Sequence, residues 1–402
     1  MKKLLLAAIA LPLLATAAFA QAPIRIGVLN DLSSVYADYQ GIGSVIAAQM
    51  AADDVGPVAG HKVEILSADH QNKPDVGLAI SRKWFDTDGV AVVMDVPNSA
   101  IALAVSDLAR DKNRMFIGSG AAIDLLTGAK CTPNTIHWTY DTWEAGHALA
   151  NAVVAGGGKK WYYLTADYAF GDVLQARMSE EVVADGGTNV GAARHPLGAS
   201  DFSSQLVSAQ NSGADVLGLA NAGGDSVNAI KQAKEFGLTP KMKIAGPLIN
   251  INHIDALGLA ETQGVMGATP YYWDLNDGTR AFAKRFAERH PRHMYPNDMQ
   301  AGMYSAVLHF LKAAKQLNGE VLDGAKMVAA MKAIPTDDPI FGKGSIRADG
   351  RKIHPVYLIE TKTEADSKSH WDMFKIMATI PADKAFRPMS EGKCPLVSSA
   401  KP

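Results

Sequence analysis

The feature that most limits what this chain can fold into is an alternation of short apolar runs, polar loops and helical stretches that occurs twice at domain scale. The first round opens at IRIGVLNDLSSVYADYQG, residues 24–41. Ile24, Ile26 and Val28 alternate, Leu29 follows, and the run then breaks into small and polar residues. This predicts a buried first strand ending in a loop. A helix is expected to start near residues 39–43 and to run through VIAAQMAADDV. Strand, polar loop and helix in that order open an α/β domain, and open parallel sheets bind ligands beyond the carboxyl ends of their strands. The loop at 30–38 is therefore expected at a site, with Ser33, Ser34 and Tyr36 as its hydrogen-bonding groups.

The alternation continues along the chain. Residues 62–68, KVEILSA, predict a second strand, and 75–84 a helix with Val76, Ala79, Ile80 and Trp84 toward the sheet. Residues 90–94 are all apolar, as in a parallel strand covered on both faces. Pro97-Asn98-Ser99 breaks that run, and Ser99 is the expected cap of the following helix. Another strand at 115–117 leads into Ser119-Gly120-Ala121. The aromatic stretch IHWTYDTWE at 136–144 reads as a first crossing to a second domain. There the pattern restarts, with strands at 160–164, 189–194, 216–219 and 243–245. The loops ADYAFG (166–171) and NAGGD (221–225) end two of them. Tyr271-Tyr272-Trp273 reads as a second crossing. Helices then run to about residue 334, followed by a short strand and a hairpin-like end at 356–359 and 371–378.

The ends bound where such a chain works. MKKLLLAAIALPLLATAAFA has a basic start, a short apolar centre and a small-x-small site before Gln21, the pattern of a secretory signal peptide cleaved after Ala20. The apolar run is short for a membrane anchor. Without Lys2 and Lys3 the chain carries 37 basic and 41 acidic residues, which lacks the basic footprint of a nucleic-acid partner. The two cysteines, Cys131 and Cys394, fall in an export compartment that permits oxidation. A disulfide tying the tail back to the region after the first sheet is expected; two separate thiols are the alternative.

Enzyme signatures are missing: there is no GxSxG elbow, no P-loop and no HExxH. His61, His70, His137, His147 and His195 are scattered without metal spacing, so structural roles suit them better. The loops carry Ser, Asn, Tyr, Trp, Gly and backbone amides, which is a binding inventory. Amides at the helix starts after Ser99 and Ala121 can hold an anionic group, although Ser99 is equally read as a plain cap. The aromatic clusters at Trp138, Tyr140 and Trp143, and at Tyr271, Tyr272 and Trp273, either seal the domain junction or stack on a ring-shaped ligand.

These segments, with AVVMDVPNSAIALAV at 91–105, MFIGSGA at 115–121 and LANAGGD at 219–225, resemble the periplasmic substrate-binding proteins of ABC importers, in the leucine/isoleucine/valine-binding family. The resemblance covers nearly the whole mature chain. It implies the α/β type I periplasmic binding-protein fold: two doubly wound parallel-sheet lobes joined by a three-crossing hinge, with a ligand in the cleft. It implies an N-terminal lobe of 21–141 and 275–353 and a C-terminal lobe of 142–274 and 354–402. It implies no catalysis and no cofactor. The expected partners are a small-molecule ligand and a membrane permease, with the protein itself a monomer in the periplasm. Carried over by position, Ser33 and Tyr36 border the cleft, Asn98, Ser99, Ser119 and Ala121 belong to carboxylate-holding loops, and Tyr168 and Phe170 cover the ligand. Asn221 and Gly223 belong to a second-lobe loop, and Trp138 and Tyr271 complete the expected lining. Amino-acid binders of the family carry an acid a few positions beyond the Gly-Gly pair. Here Asp225 follows Gly223-Gly224 directly, earlier than that pattern. A buried ammonium without a carboxylate is costly, so the chain resembles the aromatic-carboxylate branch more closely. A branched-chain or other neutral amino acid, or a small amide, stays open, and so do an exported enzyme and a ligand sensor as other classes.

Overall fold

The computed structural model describes residues 21–239 and 241–398. The signal-peptide expectation for residues 1–20 lies outside them. Two sheets are built, each the core of one lobe. The first holds β1 (Ile24–Asn30), β2 (Val63–Asp69), β3 (Val90–Asp95), β4 (Met115–Gly118) and β5 (Thr135–His137), all parallel, in the order β2-β1-β3-β4-β5. The second holds β6 (Lys160–Ala166), β7 (Thr188–His195), β8 (Val216–Ala220), β9 (Lys243–Ala245) and β10 (Met266–Thr269), which repeat the same winding as β7-β6-β8-β9-β10. A small antiparallel sheet, β11 (Thr336–Asp338), β12 (Gly342–Ile346) and β13 (Lys352–Ile353), packs on the first lobe. The closing hairpin β14 (Val356–Thr361) and β15 (Phe374–Ile380) extends the second sheet antiparallel to β10. The expected lobes are present, but only the first sheet is purely parallel. In the second, β14 runs antiparallel to β10 and β15 antiparallel to β14.

Helices cover both faces. They are α1 (Gly41–Val55), α2 (Pro74–Asp86), α3 (Ser99–Asp111), α4 (Thr142–Ala155), α5 (Ala169–Ala184), α6 (Ser203–Asn211), α7 (Gly224–Glu235), α8 (Ile251–Leu257), α9 (Leu259–Thr262), α10 (Asp277–Arg289), α11 (Asp298–Gln316) and α12 (Gly324–Ala333). β3 is buried along its whole length, as its unbroken apolar run requires. Gly27 is needed where it stands, because a Cβ there would lie 2.5 Å from the Trp84 ring that α2 lays on the sheet. Asn250, Asn276 and Asn297 start α8, α10 and α11 with reciprocal capping boxes. Among the described residues no helix is long and apolar enough to cross a membrane. Cys131 and Cys394 are bonded, with Cα atoms 5.6 Å apart.

The winding explains where a site falls. In each sheet the order reverses between the first and third strands, and a crevice opens there at the carboxyl ends. The loops after β1 and β3 face those after β6 and β8 across the gap.

Candidate functional site

The β1–α1 loop is shaped by a carboxylate that the sequence does not single out. Asp31 is fully buried and accepts from Ser34 N at 2.9 Å, Ser34 Oγ at 2.7 Å, Tyr36 N at 2.8 Å and Asn72 Nδ2 at 2.6 Å. These bonds fold the loop back and carry the Tyr36 ring to the crevice. Ser33 ends elsewhere: its Oγ donates to Asp69 at 2.5 Å on the exposed side.

The β3–α3 loop is strained. Asp95 and Val96 both have positive φ, 81° and 57°. A β-branched residue in that region is a genuine outlier, doubly so before a proline. Such strain persists only where surrounding contacts hold it, and it clusters at ligand clamps. It places Pro97 on the crevice wall. The expected cap is corrected here: Asn98, not Ser99, is the N-cap of α3, and its Oδ1 accepts from Ala100 N and Ile101 N. Ser99 is instead the first residue of the helix, fully buried, with a hydroxyl that has no partner. A lone buried hydroxyl at the positive end of a 13-residue helix is a donor suited to an anion.

Between the lobes lies a narrow cavity of about 10 Å³, room for roughly one water. From the first lobe it is lined by Tyr36, Tyr39, Gln40, Pro97, Ala122 and Tyr140, and from the second by Tyr168, Phe170, Ala222 and Leu248. The lobes are shut on it. Tyr36 OH and Tyr168 OH share a hydrogen bond of 2.5 Å, Tyr39 OH donates to Leu248 O at 3.0 Å, and Gly224 N donates to Val35 O at 2.9 Å. Asn252 of α8 reaches Asp38 O at 3.0 Å and pairs with Asn297 of α11 at 2.8 Å. Burial raises the Tyr36, Tyr39 and Tyr140 phenols well above their usual range, so all three stay neutral donors.

Behind the first-lobe wall is a buried polar cluster. Gln40 Nε2 donates to Gly120 O at 2.9 Å, and Tyr140 OH donates to the same carbonyl at 2.9 Å. That bond fixes which end of the Gln40 amide is nitrogen, and it leaves Oε1 without a partner. Asp95 is fully buried, with Oδ2 also unpartnered, and burial pushes its carboxyl up to about 7 despite the Ser119 and Ser44 hydroxyls beside it. A side chain at Gly120 would collide with both Asp95 Oδ1 and Gln40 Nε2. Asp298 at the start of α11 is likewise pushed up to about 7 by burial.

Of the residues singled out from the sequence, Tyr36, Tyr168 and Phe170 line the cavity. Gly223 sits at the neighbouring cleft mouth, with φ 60° and its backbone against Val35 and Tyr36. Others lie off the cavity lining. Trp138 is buried in the first-lobe core, with Nε1 donating to Ser305 Oγ at 3.0 Å, and Tyr271 packs edge-on against Phe282 in the same core. Trp273 donates to Trp371 O at 2.7 Å, away from the crevice. Ala121 belongs to the first-lobe packing, and its neighbour Ala122 lines the wall. Ser119 Oγ turns to Asp95 and Met303. Asn221 braces its own loop, donating to His195 Nε2 at 3.1 Å and accepting from Ser226 Oγ at 2.8 Å. Asp225 Oδ2 accepts from Gly198 N at 3.1 Å, while Oδ1 is buried and unpartnered. Burial raises this carboxyl to about 6, and its charge also raises the Tyr36 and Tyr168 phenols. The sequence reading misses Tyr39, Gln40, Ala122 and Leu248, and leaves Tyr140 open between a junction seal and a ligand contact. The first two stand beside Tyr36 in the opening loop, which was a usable signal; Leu248 had none.

Among the described residues the lining contains no Ser, Cys, His, Lys, Arg, Asp or Glu. It therefore holds no nucleophile–base pair. It can enclose an apolar body and offer hydroxyl and amide hydrogen bonds.

The model of a family described as periplasmic binding protein matches residues 23–368. A crystal structure of a periplasmic binding protein from Burkholderia mallei is 44% identical, with a TM-score of 0.90 over 93% of this chain and 99% of that one. A branched-chain amino acid ABC transporter periplasmic ligand-binding protein from Burkholderia xenovorans LB400 is 39% identical, with a TM-score of 0.82 over the same shares. An R. palustris ABC-transporter solute-binding protein in complex with benzoate shares the fold at 21% identity, with a TM-score of 0.81 over 90% of this chain and 97% of that one.

Proposed function

The chain belongs to the periplasmic binding-protein family, and from that premise we propose that it is the solute-binding component of an ABC importer, closing two lobes on a small aromatic carboxylate. The mature protein starts at Gln21, and the moving bodies are 21–141 with 275–353 and 142–274 with 354–386; the tail from Arg387, expected on the second lobe, is instead bonded to the first. The observation that carries the ligand class is the cavity wall. Four tyrosines and a phenylalanine surround the cavity with no ionic side chain among them. In the shut form the space is only about 10 Å³, so the ligand class is read from the aromatic character of the wall, which suits stacking on a ring. A buried carboxylate without a counter-charge needs several donors. The Ser99 hydroxyl and the α3 amino end, which lie next to Pro97 but outside the lining of the shut cavity, supply them from the first lobe when the cleft takes a ligand. Tyr168 and Phe170 then close over the ring from the second. The fold accommodates benzoate in the R. palustris protein.

One observation favours a second reading, an α-amino acid. The unpartnered Asp225 Oδ1 lies near enough to the Tyr36–Tyr168 pair to act on both phenols, and an ammonium could recruit it. A thermal-shift panel on ligand-stripped protein separates the two. A ligand that binds only the native form stabilises it by about 2.7 kcal/mol at a concentration 100 times Kd. Benzoate, 4-hydroxybenzoate or coumarate is expected to raise Tm, with no response to leucine, valine or acetamide. A rise with leucine or valine alone would replace the aromatic-acid reading with the amino-acid one.

A further inference from the structure

The polypeptide passes between the lobes three times: after β5, after β10, and between β13 and β14. The segment after β15 makes a fourth passage. Ala385 and Phe386 still pack with second-lobe residues Ala148, Ala268 and Val356. From Arg387 onward the tail lies on the first lobe. Arg387 Nη1 donates to Asp124 Oδ2 at 2.9 Å and Nη2 to Asp124 O at 3.1 Å, while Arg347 Nη1 donates to Arg387 O at 2.9 Å. The Cys131–Cys394 bond then closes the tail covalently onto the first lobe.

The changeover point lies on the hinge itself. Phe386 sits 4.1 Å from the guanidinium of Arg351 and meets His354 edge-on. Arg351 in turn donates to Thr139 O at 2.8 Å and Tyr140 O at 3.1 Å, and His354 Nε2 bonds Thr139 O at 2.7 Å. The first crossing, the third crossing and the tail are therefore one packed unit. Asp124 links this unit to the far side of the cleft, because its Oδ2 also accepts from Arg177 Nε of α5 at 2.8 Å.

We propose that the disulfide-closed tail is a strap across the hinge that limits how far the lobes open. A covalent link acts mainly on the less ordered of two states, by removing conformations from it. Applied to lobe opening, the strap narrows the range of interlobe separations the open form samples rather than merely stapling the fold. The inference does not depend on which ligand the cleft takes.

The test uses ligand-free, full-length mature protein carrying maleimide spin labels at Asp75→Cys and Ser204→Cys, exposed positions on opposite lobes. Interlobe distances are read by double electron–electron resonance with the native disulfide intact, after mild reduction of the folded protein, and in a Cys131→Ser/Cys394→Ser variant. Arg387→Met with the disulfide intact is the fourth sample, so the test does not rest on the serine variant folding. Reduction and the serine variant should shift the distribution to longer distances and broaden it; Arg387→Met should do so less. Superposable distributions in oxidised and reduced protein, even with a lowered Tm, would overturn the strap and leave an ordinary staple.

Discussion

The two walls of the cleft solve different problems. The first lobe keeps polar atoms without partners, namely the Gln40 carbonyl in the lining and, behind it around a loop with two left-handed residues, the Ser99 hydroxyl and an Asp95 oxygen. The second-lobe wall is Tyr168, Phe170, Ala222 and Leu248, whose polar atoms are mostly satisfied within the protein. The first wall costs stability and the second contributes it through burial. That difference suggests an order of events: the strained wall takes the ligand's polar end, and the apolar wall closes over the rest.

Four changes break or sharpen this contrast, from the largest expected effect down. Phe170→Ala removes a buried ring from the second-lobe core and should lower unfolding free energy in denaturant by about 3–5 kcal/mol; a loss under half of that would mean the wall is not packed as described. Asp95→Asn should have the opposite sign. A carboxyl held at about 7 when folded and near 3.8 when unfolded keeps its proton longer in the native state. Its contribution is complete at acid pH and is lost as pH rises through 7. The variant should therefore be more stable than the parent by roughly 2–4 kcal/mol at pH 8 and nearly equal to it at pH 4. A pH-independent difference in Tm would show that Asp95 is not the titrating group.

Ser99→Ala should weaken binding of a carboxylate such as 4-hydroxybenzoate by about 1.5–3 kcal/mol, with the ligand-free Tm unchanged; calorimetry showing equal affinity would move the anion to another donor. Tyr168→Phe removes the hydroxyl paired with Tyr36 across the cleft. It should cost about 0.5–1.5 kcal/mol of closure, seen as a faster ligand off-rate. An unchanged off-rate would assign closure to Asn252 and Gly224 instead.

The first-lobe strands were legible because each is a short apolar run ended by a polar loop, a signal that survives without neighbours. The aromatic residues were not. Trp138 and Tyr140 are two positions apart, which in a strand puts both on one side. Yet Trp138 enters the lobe core and Tyr140 the cavity, since the chain leaves the sheet after His137. Ser99 and Asn98 are both good caps by composition. Only the bonds from Ala100 and Ile101 decide for Asn98, and that choice frees the Ser99 hydroxyl. Asp225 looked misplaced by spacing, but its position at the start of α7 brings it close to the tyrosine pair.

By itself the sequence determined the two-lobe α/β class, the loops at the strand ends that border the cleft, and the pair of cysteines able to bond. Those are local properties, written in periodicity and residue type. The tertiary structure decided which rings face the ligand, which buried carboxyls stay unpaired and where the tail crosses back. Each of those joins distant segments, as Tyr36 meets Tyr168 across 132 residues, and only packing sets the direction in which a side chain at such a junction points.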